Sequence, residues 1–361
     1  MKLLVLTKYD TLGASSRVRM NQYFSEIEKA GHQVVCSPLL SNAYITQLQR
    51  GHIALSYVFH GYLQRLFKTL EFRRFDVVWI EKECFPWLPA EFEIALNRAQ
   101  TPFVLDYDDA DFHKYDSHAS RMIRLCLSRK HRMIIKKASL VIAGNDYLAN
   151  YAKSNGARHV EIIPSVIDLK RYHCVKQLKS PGNFVPTVGW VGQSSTAKYL
   201  KKLGNVFRNI KSQGIAKFCA VGITPSHFDL PMDGYDWSEA SEVYDILKMD
   251  IGIMPLSDGL FERGKCGYKL IQYMGCGLPV IASPVGVNTI IVDHGLNGFL
   301  AETEEEWYIA LTRLICDPDL RHRMGLAGRR KVERLYSLQS RAPRMISLLE
   351  GVASHVVSPV K

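Results

Sequence analysis

Residues 258–286 read DGLFERGKCGYKLIQYMGCGLPVIASPVG, and this stretch decides the fold of the whole chain. Between 268 and 274 there is no Gly, Pro or run of β-branched residues, so this part is helical by propensity, and the glycines on either side supply tight loops. A helix starting just behind a glycine-rich, lysine-bearing loop leaves unpaired N–H groups and a partial positive charge at its first turn. Gly264 and Gly267 let backbone approach a bound group closely, and a diphosphate suits such a place. Lys265 and Lys269 are four apart, so on one helix they would share a face and neutralise the same anion. Residues 279–282 form a short apolar strand, and 283–286 close it with a loop at the carboxyl end, where parallel α/β sheets collect ligands. The plainer alternative is an ordinary βαβ unit whose glycines serve packing and whose lysines are solvated.

The helix and the strand after it carry a resemblance. Gln272-Tyr273-Met274-Gly275-Cys276-Gly277-Leu278-Pro279-Val280-Ile281-Ala282 is similar to the donor-binding signature of retaining glycosyltransferases of GT-B architecture, in particular glycosyltransferase family 4 (glycosyl transferases group 1). Members carry two glutamates separated by seven residues, the second opening the helix. Here Gln272 stands at the second position and Gly264 at the first, with Glu262 two residues out of register. The resemblance implies an α/β chain of two Rossmann-like domains whose parallel sheets face an interdomain cleft. It also implies a nucleotide-diphosphate sugar as donor substrate, catalysis without a bound metal, and no further cofactor.

A length of 361 residues suits two domains of about 150–180 residues each. With 47% apolar and 22% charged residues the composition is ordinary for a globular protein and excludes a disordered or fibrous one. The 46 Lys and Arg against 35 Asp and Glu give +11, an attraction to nucleotide, anionic lipid or nucleic acid. Nucleic acid is set aside because the most basic segment, 117–139, lacks aromatics between its cations. The eight cysteines show no Cys-x-x-Cys pair and no His at zinc-ligand spacing, which points to free thiols in a reducing compartment. No apolar run reaches the roughly 18 residues of a membrane span, and the opening MKLLVLTKYD reads as a strand rather than a signal peptide. The expected location is cytoplasmic, peripheral on the inner face of a membrane if the basic segment binds there.

Residues 2–7 are a strand, followed by a small-residue loop with Gly13 and a helix around 17–30, the opening of a Rossmann-like half. The resemblance places Gly13, with Arg17 or Arg19, against donor phosphate or acceptor; a turn with a solvated arginine pair is the alternative. Segment 42–75, with Tyr57, Phe59, Tyr62 and Phe67, reads as helical, its aromatic stripe as core. Strand 76–80 ends at Glu81, where many family members have a histidine; Glu81 reads as a catalytic or acceptor-binding carboxylate, or as the partner of Lys82. Strand 102–105 ends in Asp106-Tyr107-Asp108-Asp109-Ala110-Asp111, four carboxylates that repel one another unless a metal, a cation or protonation relieves them. Asp106 and Asp108 are expected in catalysis and Asp109 at the acceptor; a metal site, or helix capping with solvation, are the alternatives. Segment 117–139 has seven cations, among them Arg121, Arg124, Arg129 and Lys130, and no acid. As one amphipathic helix it either lies on an anionic membrane or packs its apolar side inward. The turn at 164–168 closes a first domain, 1–168.

After a linker, 169–186, the pattern restarts in a second domain, 187–337, with strand 187–191, loop 192–196 and helix 197–211. Gly192 resembles the glycine of a family loop that carries an arginine and a lysine for the pyrophosphate; Gln193 replaces the arginine and Lys198 supplies the lysine. Ser194 donates to phosphate or caps the helix. Glu262, Gly264, Gly267 and Gln272 complete the donor set, while Lys265 and Lys269 stabilise the leaving diphosphate. A last helix, 338–355, returns to the first domain, and domain closure is expected to bring Asp106, Asp108 or Glu81 to the sugar. The implied function is retaining sugar transfer to a glycan or lipid-linked acceptor, as in bacterial-type surface polysaccharide or glycoconjugate synthesis. With both family glutamates missing, the alternatives are a catalytically degraded nucleotide- or glycan-binding module and a GT-B sugar epimerase.

Overall fold

The structure is a computed structural model that describes residues 1–52, 54–96, 100–176 and 184–354. Residues 177–183 of the expected linker and residue 355 of the expected last helix lie outside the described residues. Two units emerge: Met1–Val166 with Gly264–Cys266 and the chain from 341 on, and Ile167–Arg263 with Gly267–Ser340.

Each unit is built on six parallel strands. In the first, β1 (Lys2–Tyr9), β2 (Gln33–Leu40), β3 (Val77–Glu81), β4 (Phe103–Tyr107), β5 (Leu140–Ala143) and β6 (Val160–Ile162) lie in the order β2-β1-β3-β4-β5-β6. In the second, β7 (Thr187–Val191), β8 (Lys217–Val221), β9 (Asp233–Tyr235), β10 (Ile251–Met254), β11 (Val280–Ala282) and β12 (Gly298–Leu300) lie in the order β9-β8-β7-β10-β11-β12. The central strands are continuous apolar runs, such as Val77-Val78-Trp79-Ile80, buried on both faces as a parallel sheet under helices requires. Each sheet reverses its winding direction once, between β1 and β3 and between β7 and β10. At such a point the loops leave the carboxyl ends in opposite directions and a crevice opens between them.

The sequence reading differs from the structure in three places that bear on function. Segment 42–75 is two helices, Asn42–Gln49 and Leu55–Leu70, and its aromatic stripe is not core, since Phe59 and Phe67 are exposed. The side facing the sheet is chosen by Arg65, which is buried and donates to the carbonyls of Thr7 (2.6 Å) and Ser37 (2.8 Å). Segment 117–139 is broken into Arg121–Leu127 and Lys130–Ile135. The strands β9 and β12 are three residues each, too short to show a period in sequence. The last helix, Leu338–Ser354, reaches the first unit, where Arg344 pairs with Glu161 at 3.0 Å and Glu350 faces His32 at 2.9 Å. All eight cysteines are unpaired thiols, and among the described residues no helix is long and apolar enough to cross a membrane.

Candidate functional site

At the β1/β3 switch of the first unit, Glu81 is buried and surrounded by donors. Its Oε1 accepts from Ser15 Oγ (2.7 Å), and its Oε2 accepts from Ser16 Oγ (2.6 Å) and the Lys8 backbone N–H (2.8 Å). The carboxylate therefore anchors the small-residue loop that follows β1. Lys82, the next residue, has a φ of +62°, the left-handed region that a β-carbon disfavours. Its ammonium sits 2.9 Å from Asp108, 3.4 Å from Asp111 and 3.9 Å from Asp109, and Lys114 lies 2.5 Å from Asp111. These cations relieve the repulsion that the acidic run predicts. Burial alone would raise the Asp111 pKa, but Lys82 and then Lys114 outweigh it and hold that carboxyl well below its usual range. Among the described residues, no group of three or more His, Cys, Asp or Glu is arranged to hold a metal ion.

Asp106 and Asp109 diverge. Asp106 is fully buried, accepting from Arg19 Nε (2.5 Å) and Trp79 Nε1 (3.2 Å), and burial pushes its pKa up to about 6 against the pull of Arg19. The side chain of Asp109 is 30% exposed, with Lys265 at 3.8 Å. Its pKa is also raised to about 6, by burial first, with Lys82 opposing. Lys265 reaches this place because its segment is fixed to the first unit: Asn145 Nδ2 donates to the carbonyls of Gly264 (3.0 Å) and Lys265 (3.1 Å). A β-carbon on Gly264 would lie 2.5 Å from that of Ala110, so the segment packs only as glycine.

The second unit's switch, between β7 and β10, is made differently. Gly192 leaves β7, and a β-carbon there would sit 2.4 Å from the Trp190 ring and 2.7 Å from Lys269 Nζ. Gly222, after β8 with φ +91°, would bring its β-carbon to 2.2 Å from the Gly192 carbonyl. Two bare stretches of backbone thus abut beside an indole. The helix Tyr268–Gly275 starts behind Gly267 (φ +64°), and Lys269 in its first turn lays its ammonium 4.2 Å from the Trp190 ring centroid and 3.4 Å from Thr196 Oγ1. Gln193, Ser194 and Lys198 are exposed on the same loop and the short helix Ser194–Ala197. A cation on an aromatic platform, glycine loops, a helix N-terminus and hydroxyls are the kind of groups that suit a phosphorylated anion.

Several expected roles are corrected by this geometry. Lys265 and Lys269 do not share a helix face, because the helix begins only at Tyr268 and Lys265 stands with Asp109 in the first unit. Gln272 is buried and donates to the Tyr172 hydroxyl (2.7 Å), which donates to Glu242 (3.1 Å), so its amide belongs to an internal network. Glu262 accepts from the Tyr199 hydroxyl. Asp106 and Glu81 hold structure, as above. Gly13 is required by packing, since a β-carbon would lie 2.2 Å from that of Tyr9, and Arg17 is half-buried on the helix Ala14–Arg19. Lys130 is buried 2.6 Å from Glu83 and 2.8 Å from Glu93, away from any surface role; Arg121 and Arg129 are exposed and Arg124 is half-buried beside them. Sequence reasoning expected Arg19 at phosphate or acceptor, whereas it is buried on Asp106, and took Lys82 only as a partner of Glu81. It missed Trp190, whose signal was an aromatic directly before the Val191-Gly192 strand end.

Residues 185–317 match the family described as Glycosyl transferases group 1. No curated protein matches the chain in sequence. Among solved structures, sucrose-phosphate synthase from Thermosynechococcus elongatus has a TM-score of 0.75 at 16% identity, covering 98% of this chain and 100% of its own. Anabaena HepE in complex with UDP has a TM-score of 0.70 at 16% identity, covering 97% and 100%. A glycosyltransferase from Rickettsia africae has a TM-score of 0.67 at 13% identity, covering 97% and 98%. The fold they share with this chain is GT-B, two Rossmann-like domains each on a parallel sheet.

Proposed function

We propose that this GT-B chain, which carries a glycosyl transferases group 1 segment at 185–317, transfers a sugar from a nucleotide-diphosphate donor to a hydroxyl of a glycan or lipid-linked acceptor, with retention at the anomeric carbon. Lys269 carries the reading: it stands at a helix N-terminus, beside Gly192, at the β7/β10 switch. In the transfer, the bond between the anomeric carbon and the β-phosphate oxygen breaks and its electron pair stays on the phosphate. The acceptor oxygen bonds to that carbon and gives up its proton. Negative charge grows on the leaving diphosphate, so a preorganised cation and helix N-terminus stabilise the transition state more than the bound donor. Lys198, Ser194 and Thr196 add donors on the same loop, and the reading needs no divalent metal.

On the first unit, Asp109 is the partly open carboxylate, and a pKa pushed up to about 6 suits it to accept a hydrogen bond or proton from a hydroxyl near neutral pH. Asp108, held by Lys82 and Ser15, orients the same acceptor. HepE has been solved with UDP and with UDP-glucose, which makes UDP-sugars the first donors to try. Synthesis of a surface polysaccharide or glycoconjugate at the cytoplasmic face of a membrane is the setting this reading favours.

The test is thermal stabilisation by UDP-, GDP- and ADP-sugars, followed by a transfer and hydrolysis assay with Lys269→Ala as control. One nucleotide sugar is expected to raise Tm and to be consumed, and Lys269→Ala is expected to lose roughly 100-fold in kcat. Binding without turnover would favour a degraded binding module, which Gln272 in the place of the family glutamate motivates. Isomerisation of the free nucleotide sugar would favour an epimerase, and no stabilisation by any of them overturns the reading.

A further inference from the structure

The helix Leu55–Leu70 presents more apolar surface than its packing uses. Leu55, Phe59, Phe67 and Leu70 are between 65% and 74% exposed. At 3.6 residues per turn they fall within an arc of roughly 120°. The helix has no freedom to roll that arc inward. Gly61 faces the sheet so closely that a β-carbon would lie 2.0 Å from the Leu39 carbonyl, and the buried Arg65 donates to three carbonyls, those of Thr7, Ser37 and Cys84.

The surface continues across the first unit. Tyr62 on this helix donates to the Pro86 carbonyl at 2.5 Å, and the next residue, Trp87, is 51% exposed on a backbone of φ +63°. The Trp87 ring meets Tyr115 at 5.2 Å and His118 at 5.9 Å, and Arg124 donates to the Ala119 carbonyl at 2.9 Å. There the helix Arg121–Leu127 holds Met122 and Leu125 at 75% and 82% exposed, in the company of Arg121, Arg124 and Arg129. No acid occurs in 55–70 or 117–139; on the neighbouring helix Ala90–Leu96, Glu93 is taken by Lys130 and Glu91 is exposed.

We propose that this face, with the helix Leu55–Leu70 as its apolar half and Arg121, Arg124 and Arg129 as its cationic half, docks the protein on an anionic lipid bilayer. Large apolar side chains standing proud of two helices, with cations among them, suit the boundary between head groups and acyl chains. A second copy of the chain suits it less, because two faces of the same sign on a +11 protein repel. The inference goes beyond the glycosyltransferase reading, and its test reads binding rather than turnover, so either can fail alone.

The experiment is sedimentation of the full chain with vesicles of phosphatidylcholine, with and without phosphatidylglycerol. The protein is expected to pellet with the anionic vesicles only, and added salt releases it. Phe59→Ser with Phe67→Ser, and separately Arg121→Glu with Arg129→Glu, should each weaken binding roughly tenfold or more, with Tm and nucleotide binding unchanged. Three results would overturn the proposal: no pelleting of the wild type, variants that pellet like it, or a wild-type dimer that Phe59→Ser with Phe67→Ser splits in the absence of vesicle binding.

Discussion

The strand ends of the two sheets handle charge in opposite ways. In the first unit, Glu81, Asp106, Asp108 and Asp111 meet Ser15, Ser16, Arg19, Lys82 and Lys114, and Asp109 keeps the most open side chain of the five, 30% exposed against 13% for Asp108. In the second, glycine backbone, an indole face and a helix N-terminus gather around Lys269. The difference teaches that a dense set of ionisable groups marks structure when its charges cancel internally. A sparse set built on glycine and preorganised dipoles is the better mark of a binding place.

The largest expected effect breaks or upholds that contrast directly. Lys82→Met leaves buried carboxylates without their shared cation and should cost about 3–5 kcal/mol in urea unfolding. Lys269→Met should cost about 1 kcal/mol or less while weakening nucleotide binding. Equal losses of stability in the two variants would erase the distinction.

Gly192→Ala and Gly264→Ala sharpen it next. The first places a methyl against Trp190 and Lys269, and the second places one against Ala110. Both should destabilise by about 1–3 kcal/mol, but only Gly192→Ala should also weaken nucleotide binding in a titration of the folded variant.

A further effect, one of pH, is expected from the first unit. His131 is buried, accepts or donates with the Tyr107 hydroxyl at 2.8 Å, and has its pKa lowered from 6.5 to about 4 by burial, with Glu83 opposing. Between those values the unfolded chain binds the proton more readily, so stability is lost as pH falls from about 6.5 to about 4, by up to about 3 kcal/mol. Asp106, raised to about 6, acts with the opposite sign over much of that window, so the comparison is with His131→Phe, whose stability should fall less steeply with acid. The smallest effect on stability is expected from Asp109→Asn, about 0.5 kcal/mol or less, with loss of the acid limb near pH 6 in the transfer rate.

Much of the fold was legible because parallel strands are continuous apolar runs: 187–191 is read from sequence at its observed bounds, and 76–80 and 279–282 within a residue of theirs. The loop before residue 268 was legible from its glycines. The exposed face of Leu55–Leu70 was not, since an aromatic stripe looks the same whether it faces a sheet or solvent, and only the placement of Arg65 and Gly61 decides it. Nor was the fate of the acidic run. Its neutralisation depends on Lys82, at the end of another strand, adopting a left-handed backbone and reaching Asp108 and Asp111, a long-range fact that spacing does not carry; Lys114, three residues after Asp111, is the local part. The segment 117–139 misled for a related reason: Lys130 looks like one more surface cation until Glu83 and Glu93 are seen around it.

Calorimetric titration of the purified chain with UDP, GDP and ADP is the most direct measurement. Saturable binding of one of them, unchanged in Asp109→Asn and weakened roughly tenfold or more in Lys269→Ala, is the predicted result. Absence of binding by all three, or wild-type affinity in Lys269→Ala, would contradict a nucleotide site at the β7/β10 switch.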